Sequence, residues 1–232
     1  MEKPLCIRKS GLFNRKRRDS KMENTFSPTN VVLSLFYDLI ISNAKSAEKI
    51  LSSHNHLLDK ELLEEVKNFV ASYIVLFAFQ EKDVKTEEMA FIHEITNDDC
   101  KHDIERALDS VDDSCFTQLM DCFCLADVYQ QKEEKSMALD LFNFAEEVGQ
   151  AFLSSFATPN RIIFYNSFME HMQKHAKAKD QRLSDRIEFQ KVNFEKPQMD
   201  YSEMIATAKE NIWREKNDKS FQAWLSDDLS VN

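Results

Sequence analysis

A chain of 232 residues with 40 acidic and 30 basic side chains carries a formal net charge of −10, and it contains only two glycines and four prolines. So little glycine excludes folds that need it at phosphate turns or β-hairpins, among them nucleotide-binding α/β sheets and β-sandwiches. With 43% apolar and 30% charged residues, the composition fits an all-α protein large enough to bury a core.

The chain opens on a basic arm. Residues 1–30 hold eight Lys/Arg against three Asp/Glu, a net +5 that leaves −15 for the rest. The run Arg15-Lys16-Arg17-Arg18 is a contact for nucleic acid, anionic lipid or a targeting receptor, or else a solvated arm ahead of the first helix. The acidic remainder argues against nucleic acid as the principal ligand, because phosphate binding needs a basic face. The amino end has no continuous apolar leader, and the most apolar run, Phe69 to Phe79, is too short to cross a bilayer. Five scattered cysteines make no disulfide framework, and the expected location is cytoplasmic.

Helix signals begin at Ser27-Pro28, a cap followed by a proline at the first helical position. Val31, Val32, Leu35, Phe36, Leu39, Ile40, Ala44 and Ala47 then recur at helical spacing, until Ser52 to His56 end the helix. Asp59 caps a second helix through Phe77 that is apolar nearly all round toward its end, so it is expected to be central. Thr86 starts a third, with Glu87 and Glu88 in the first turn where the helix dipole favours negative charge. A short fourth spans Lys101 to Leu108, and Asp112 or Asp113 opens a fifth containing Phe116, Leu119, Phe123 and Ala126. The sixth runs from Glu133 to Val148 and is expected to end at Gly149 in the left-handed conformation. Thr158-Pro159 opens a seventh through Ala178, and an eighth is expected over Leu183 to Val192. A ninth begins at Asp200 with Glu203 three places on, and a final short helix carries Phe221, Trp224 and Leu225. The organisation expected is an arm over 1–26, a compact bundle of about seven helices over 27–180, and a helical extension over 181–232 that packs on it.

Two hairpins share a layout. Shifted by 46 residues, Phe77 falls on Phe123, Glu81 on Asp127, and the pair Glu87-Glu88 on Glu133-Glu134. Each copy is an apolar helix, a polar elbow, a Glu-Glu pair and a second apolar helix. This arrangement resembles the tellurite-resistance TerB-like family over about residues 28–155, with Gln80-Glu81-Lys82 and Ala126-Asp127-Val128 in place of that family's Ala-Asp-Gly. The resemblance implies a compact helical domain tied to stress response. It also implies an acidic site near the two elbows for a divalent cation, Ca²⁺ or Mg²⁺, made here by Glu81, Glu87, Asp127 and Glu133. Without a metal, the same carboxylates cap helices and answer their dipoles.

Other patterns give competing readings. Leu125, Ala126, Tyr129, Ala138, Phe142 and Ala145 fit the spacing of one tetratricopeptide repeat, which implies an adaptor that holds a peptide or protein partner. His171 and His175 are four apart on one helical face beside Glu170, the layout of a metal-dependent enzyme or of a solvated face. Cys115, Cys122 and Cys124 with Cys100 and His102 could in principle hold zinc, but the paired spacing of a zinc site is missing and the cysteines read as buried or half-buried thiols. No nucleophile–base pair or phosphate-cradling loop is present. Trp213 and Trp224 are the candidate partner surface. The leading expectation is a non-enzymatic binding or scaffolding module.

Overall fold

The structure is a computed structural model that describes residues 28–82, 84–96, 101–109, 114–131, 135–183, 186–193 and 199–216. Among them are eight α-helices and no strand: α1 (Pro28–Ser53), α2 (Leu62–Ala78), α3 (Thr86–Thr96), α4 (Lys101–Asp109), α5 (Ser114–Gln130), α6 (Met137–Phe156), α7 (Pro159–Lys179) and α8 (Tyr201–Lys216). None is long and apolar enough to cross a membrane.

α2 is the axis. Every residue from Phe69 to Gln80 is buried, and the helix packs against α1, α3, α4, α5, α7 and α8. A helix apolar all round has no solvated face to offer, so other helices must enclose it. In a tetratricopeptide solenoid each unit touches only its neighbours. The six partners of α2 make a closed bundle, and the described residues do not form the regular stack implied by that repeat spacing. Aromatic side chains fill the centre: Tyr73 stacks on Phe168 with ring centroids 4.3 Å apart, and Phe77 meets Phe164 edge-on at 4.9 Å.

Several boundaries differ from expectation, each for a physical reason. Gly149 does not end a helix. It sits inside α6, which continues to Phe156, at the point where α6 crosses Tyr73 and Tyr165. A Cβ there would lie 2.6 Å from Tyr165 Cδ2 and 2.7 Å from Tyr73 Oη, so the glycine serves close approach. α6 begins at Met137 behind the cap Ser136, four residues later than Glu133. The N-cap of α2 is Glu61, with the Leu62 amide donating to Glu48, so Asp59 is not the cap. The expected helix over Leu183–Val192 is a 3-10 turn at Gln181–Leu183 followed by non-helical chain, pinned where Asn166 exchanges two hydrogen bonds with the Val192 backbone at 2.9 and 3.0 Å. Ser27, Asp112, Asp113 and the Phe221–Leu225 segment lie outside the described residues.

α1 differs most. Its buried stripe is Leu33, Tyr37, Ile40, Ala44, Ala47 and Leu51. Of the apolar series read from sequence, Ile40, Ala44 and Ala47 face the core, while Val31, Val32, Leu35 and Leu39 face outward. The first three turns of α1 therefore carry two apolar faces, and packing selects one. α1 runs antiparallel to α6, since Asn43 bonds Asp140 at 2.9 Å while Tyr37 meets Phe144 one turn further along.

Candidate functional site

The end of a fully buried helix sets a chemical problem, because its last carbonyls lack the regular i+4 amide partners of the helix interior and are closed off from solvent. The chain solves it at α2 with side chains from α7, from α8 and from the turn that follows α2 itself. Gln80 Nε2 donates to Leu76 O at 3.0 Å and to Met204 O of α8 at 3.2 Å. Arg161, in the first turn of α7, donates from Nε to Phe77 O at 3.2 Å and from Nη2 to Ala78 O at 3.0 Å. Asn211 of α8 donates to Phe79 O at 2.8 Å, and Asn160 reaches Gln80 O at 3.5 Å.

Arg161 also ties in two further helices. Nη1 donates to Phe156 O, the last carbonyl of α6, at 3.0 Å, and both terminal nitrogens pair with the Glu88 carboxylate of α3 at 2.9 and 2.7 Å. All five guanidinium hydrogens are thereby used. Arg161 is 3% and Glu88 2% exposed. This is an enclosed, fully hydrogen-bonded pair with no donor left for a ligand, which makes it a clamp.

Above the clamp lies a cleft of about 840 Å³. Its walls are the α2–α3 elbow with Gln80, Lys82 and Lys85, the start of α7 with Asn160, and α8 with Glu210 and Arg214. Glu210 and Arg214 pair with each other. Lys82 and Lys85 are exposed and form no ion pair among the described residues. Gln80 Oε1, buried in the cleft wall, accepts no hydrogen bond among the described residues. Among the described residues the cleft thus has a rigid base, two cations without an ion pair, and two acceptors without a donor, Gln80 Oε1 and the second Glu81 oxygen.

The second elbow is built differently. Asp127 lies within the last turn of α5 and accepts from Ser136 Oγ at 2.8 Å, Met137 N at 2.9 Å and Ala138 N at 3.1 Å. Ser136 Oγ in turn accepts from Leu139 N at 3.1 Å, so a carboxylate and a hydroxyl together cap α6. Burial pushes the Asp127 carboxyl above its ordinary value, against those hydrogen bonds and the nearby Arg182, which pull it down. Beside it, burial pushes the Cys124 thiol up to about 12.

Among the described residues the carboxylates proposed from sequence at the two elbows lie apart. Glu81 is half-buried and accepts from the Thr158 hydroxyl at 2.5 Å, just beyond the carboxyl end of α6. Asp127 caps the amino end of the same 20-residue helix. At about 1.5 Å rise per residue, the two are separated by about 30 Å along α6. Glu87 points to solvent while its neighbour Glu88 turns inward, and Glu133 lies outside the described residues. The shift of 46 also misregisters the hairpins: Glu81 follows the end of α2, whereas Asp127 is still inside α5.

The other candidates place as follows. His171 stacks on Tyr201 at 4.5 Å, and His175 Nε2 bonds Asp121 at 2.6 Å, with Lys179 on the other oxygen of that carboxylate. The two histidines serve separate contacts. Cys122 is half-buried and Cys124 buried, both as free thiols, and His102 is exposed. Among the described residues no group of three or more His, Cys, Asp or Glu side chains could hold a metal ion. Trp213 is 69% exposed on α8. Trp224 and Arg15–Arg18 lie outside the described residues.

Protein-family models, characterised proteins and solved structures were each compared with the chain. None of the three gives a match. The residues that sequence reading missed are Arg161, Asn211 and Gln80. Only Arg161 carries a signal, as a lone cation in the apolar run Ile162-Ile163-Phe164 just after Thr158-Pro159.

Proposed function

We propose that this chain is a non-enzymatic helical binding module, of TerB-like layout, that seats an acidic polypeptide segment of a partner protein in the cleft at the end of α2. The observation that carries the reading is the pair Lys82 and Lys85, uncommitted cations on a rim whose base is locked, in a chain of net charge −10. An extended segment brings carboxylates for the two lysines. The cleft volume lies within the range of ordinary ligand sites, although its lining is more polar than most. The adaptor role of the tetratricopeptide reading carries over without its stacked architecture. A divalent cation enters only as an alternative ligand at Glu81, whose second oxygen accepts no hydrogen bond among the described residues.

The test is selection of displayed peptides on the immobilised full chain and on its Lys82→Glu/Lys85→Glu variant. Acidic peptides should enrich on the first and lose at least about tenfold in affinity on the second, a change of about 1.4 kcal/mol. Enrichment of the same peptides on both proteins would rule out the cleft as the site. A melting shift in millimolar Ca²⁺ that Glu81→Gln removes would favour the cation instead.

A further inference from the structure

The outward face of α1 holds Val31, Val32, Leu35 and Leu39 at helical spacing, between 40% and 64% exposed. Four large aliphatic side chains on one helix face within three turns form a patch of the kind that soluble proteins cover. The chain outside residues 1–30 carries a net charge of −15, so an occupant that is both apolar and basic is drawn to the stripe by burial and by charge.

The chain carries such a segment directly ahead of α1. Residues 1–27 contain Leu5, Ile7, Leu12, Phe13 and Phe26 together with eight Lys/Arg against three acids. Leu12 precedes Pro28 by 16 residues, so an extended segment reaches about 50 Å, several times the length of the stripe. A short tether also supplies an effective concentration of order millimolar, an advantage that a second copy in dilute solution lacks. We propose that the basic arm, through Leu12, Phe13 and its flanking Arg15–Arg18, is the cover of the α1 stripe: an intramolecular strap held by apolar burial and by charge.

The strap is tested on the full chain with a photo-crosslinking benzoylphenylalanine at position 35. Illumination followed by mass mapping should give crosslinks within one chain to residues 5–26. Their yield should fall several-fold between about 0.05 and about 0.5 M NaCl, as the screening length shrinks from about 14 to about 4 Å. It should fall likewise in Leu12→Asp/Phe13→Asp, which leaves every described contact in place. Crosslinks between two chains would assign the stripe to a dimer. Crosslinks confined to residues 217–232 would assign it to the carboxyl end, and no crosslinks at all would leave it uncovered. Each of these three results overturns the proposal.

Discussion

Replacing Arg161 by Met removes five hydrogen bonds and leaves the Glu88 carboxylate buried without its cation. Breaking one side of a buried pair costs about 3–5 kcal/mol, most of it the uncompensated charge. The carbonyls are affected less. Phe77 O and Ala78 O keep backbone donors from Gln80 N at 3.3 Å and Glu81 N at 3.2 Å, whereas Phe156 O loses the donor that Arg161 supplies. A total near 4 kcal/mol would lower the melting temperature by about 8–16 °C in a domain of this size. The double variant Arg161→Met/Glu88→Gln removes the stranded charge as well, so it should be more stable than Arg161→Met alone. Urea unfolding followed by circular dichroism at 222 nm measures all four corners of the cycle. A cost below about 1 kcal/mol for Arg161→Met, or strictly additive costs, would refute the account of the clamp.

Three other substitutions probe separate features. Gly149→Ala gains about 1 kcal/mol in helix propensity but places a methyl 2.6 Å from the Tyr165 ring and 2.7 Å from the Tyr73 hydroxyl. Both tyrosines are fully buried, so thermal melting should show a net loss of about 1–3 kcal/mol. Asp127→Asn puts an amide nitrogen against a cap built from three donors and should cost about 1–2 kcal/mol at pH 7. The pH sign is opposite to that of an ordinary salt-bridged acid. Burial raises the folded carboxyl above its ordinary 3.8, so the native state holds its proton more tightly and this group's contribution falls as pH rises from there through the raised value. The stability difference between wild type and Asp127→Asn should therefore narrow as pH rises through that window, and a widening difference would contradict the assignment. Thr158→Val removes the hydroxyl that caps Arg161 N at 3.3 Å and donates to Glu81, and should cost about 1–2 kcal/mol by urea unfolding.

The sequence revealed helix identity better than it revealed which groups meet. Apolar periodicity gave the central place of α2 and the span of α7, because a run such as Phe69 to Phe79 can only be enclosed. It failed for α1, where residues 31–40 are apolar on two faces and only packing chooses between Leu33–Tyr37 and Val32–Leu35–Leu39. It failed for Gly149, since a glycine at a helix end and one under a crossing tyrosine look alike in one dimension. Of the Glu-Glu pair the sequence reading singled out Glu87, whereas Glu88 is the member that turns inward. Which of two adjacent carboxylates turns inward depends on Arg161, 73 residues away. Asn211 meets Phe79 across 132 residues, and nothing local to either position announces it.

These failures share a cause in the burial of α2. Had its carboxyl end reached the surface, water would satisfy the carbonyls of residues 76–80, and the chain would need no arginine, asparagine or glutamine there. Because the end is enclosed, donors must come from wherever the fold brings a helix close, and those are α7 and α8. α8 is thus part of the solution to a problem posed by the second helix, and its Met204, Ile205, Ala208 and Ile212 bury against the same core. The polar cleft is the outer surface of that solution. Side chains committed to carbonyls line its depth, and the elbow that carries Lys82 and Lys85 is held at both ends by the clamp, at Phe77 O and Ala78 O on one side and at Glu88 on the other. Anchoring on either side lowers the conformational cost of presenting Lys82 and Lys85, the condition that the proposed binding would require.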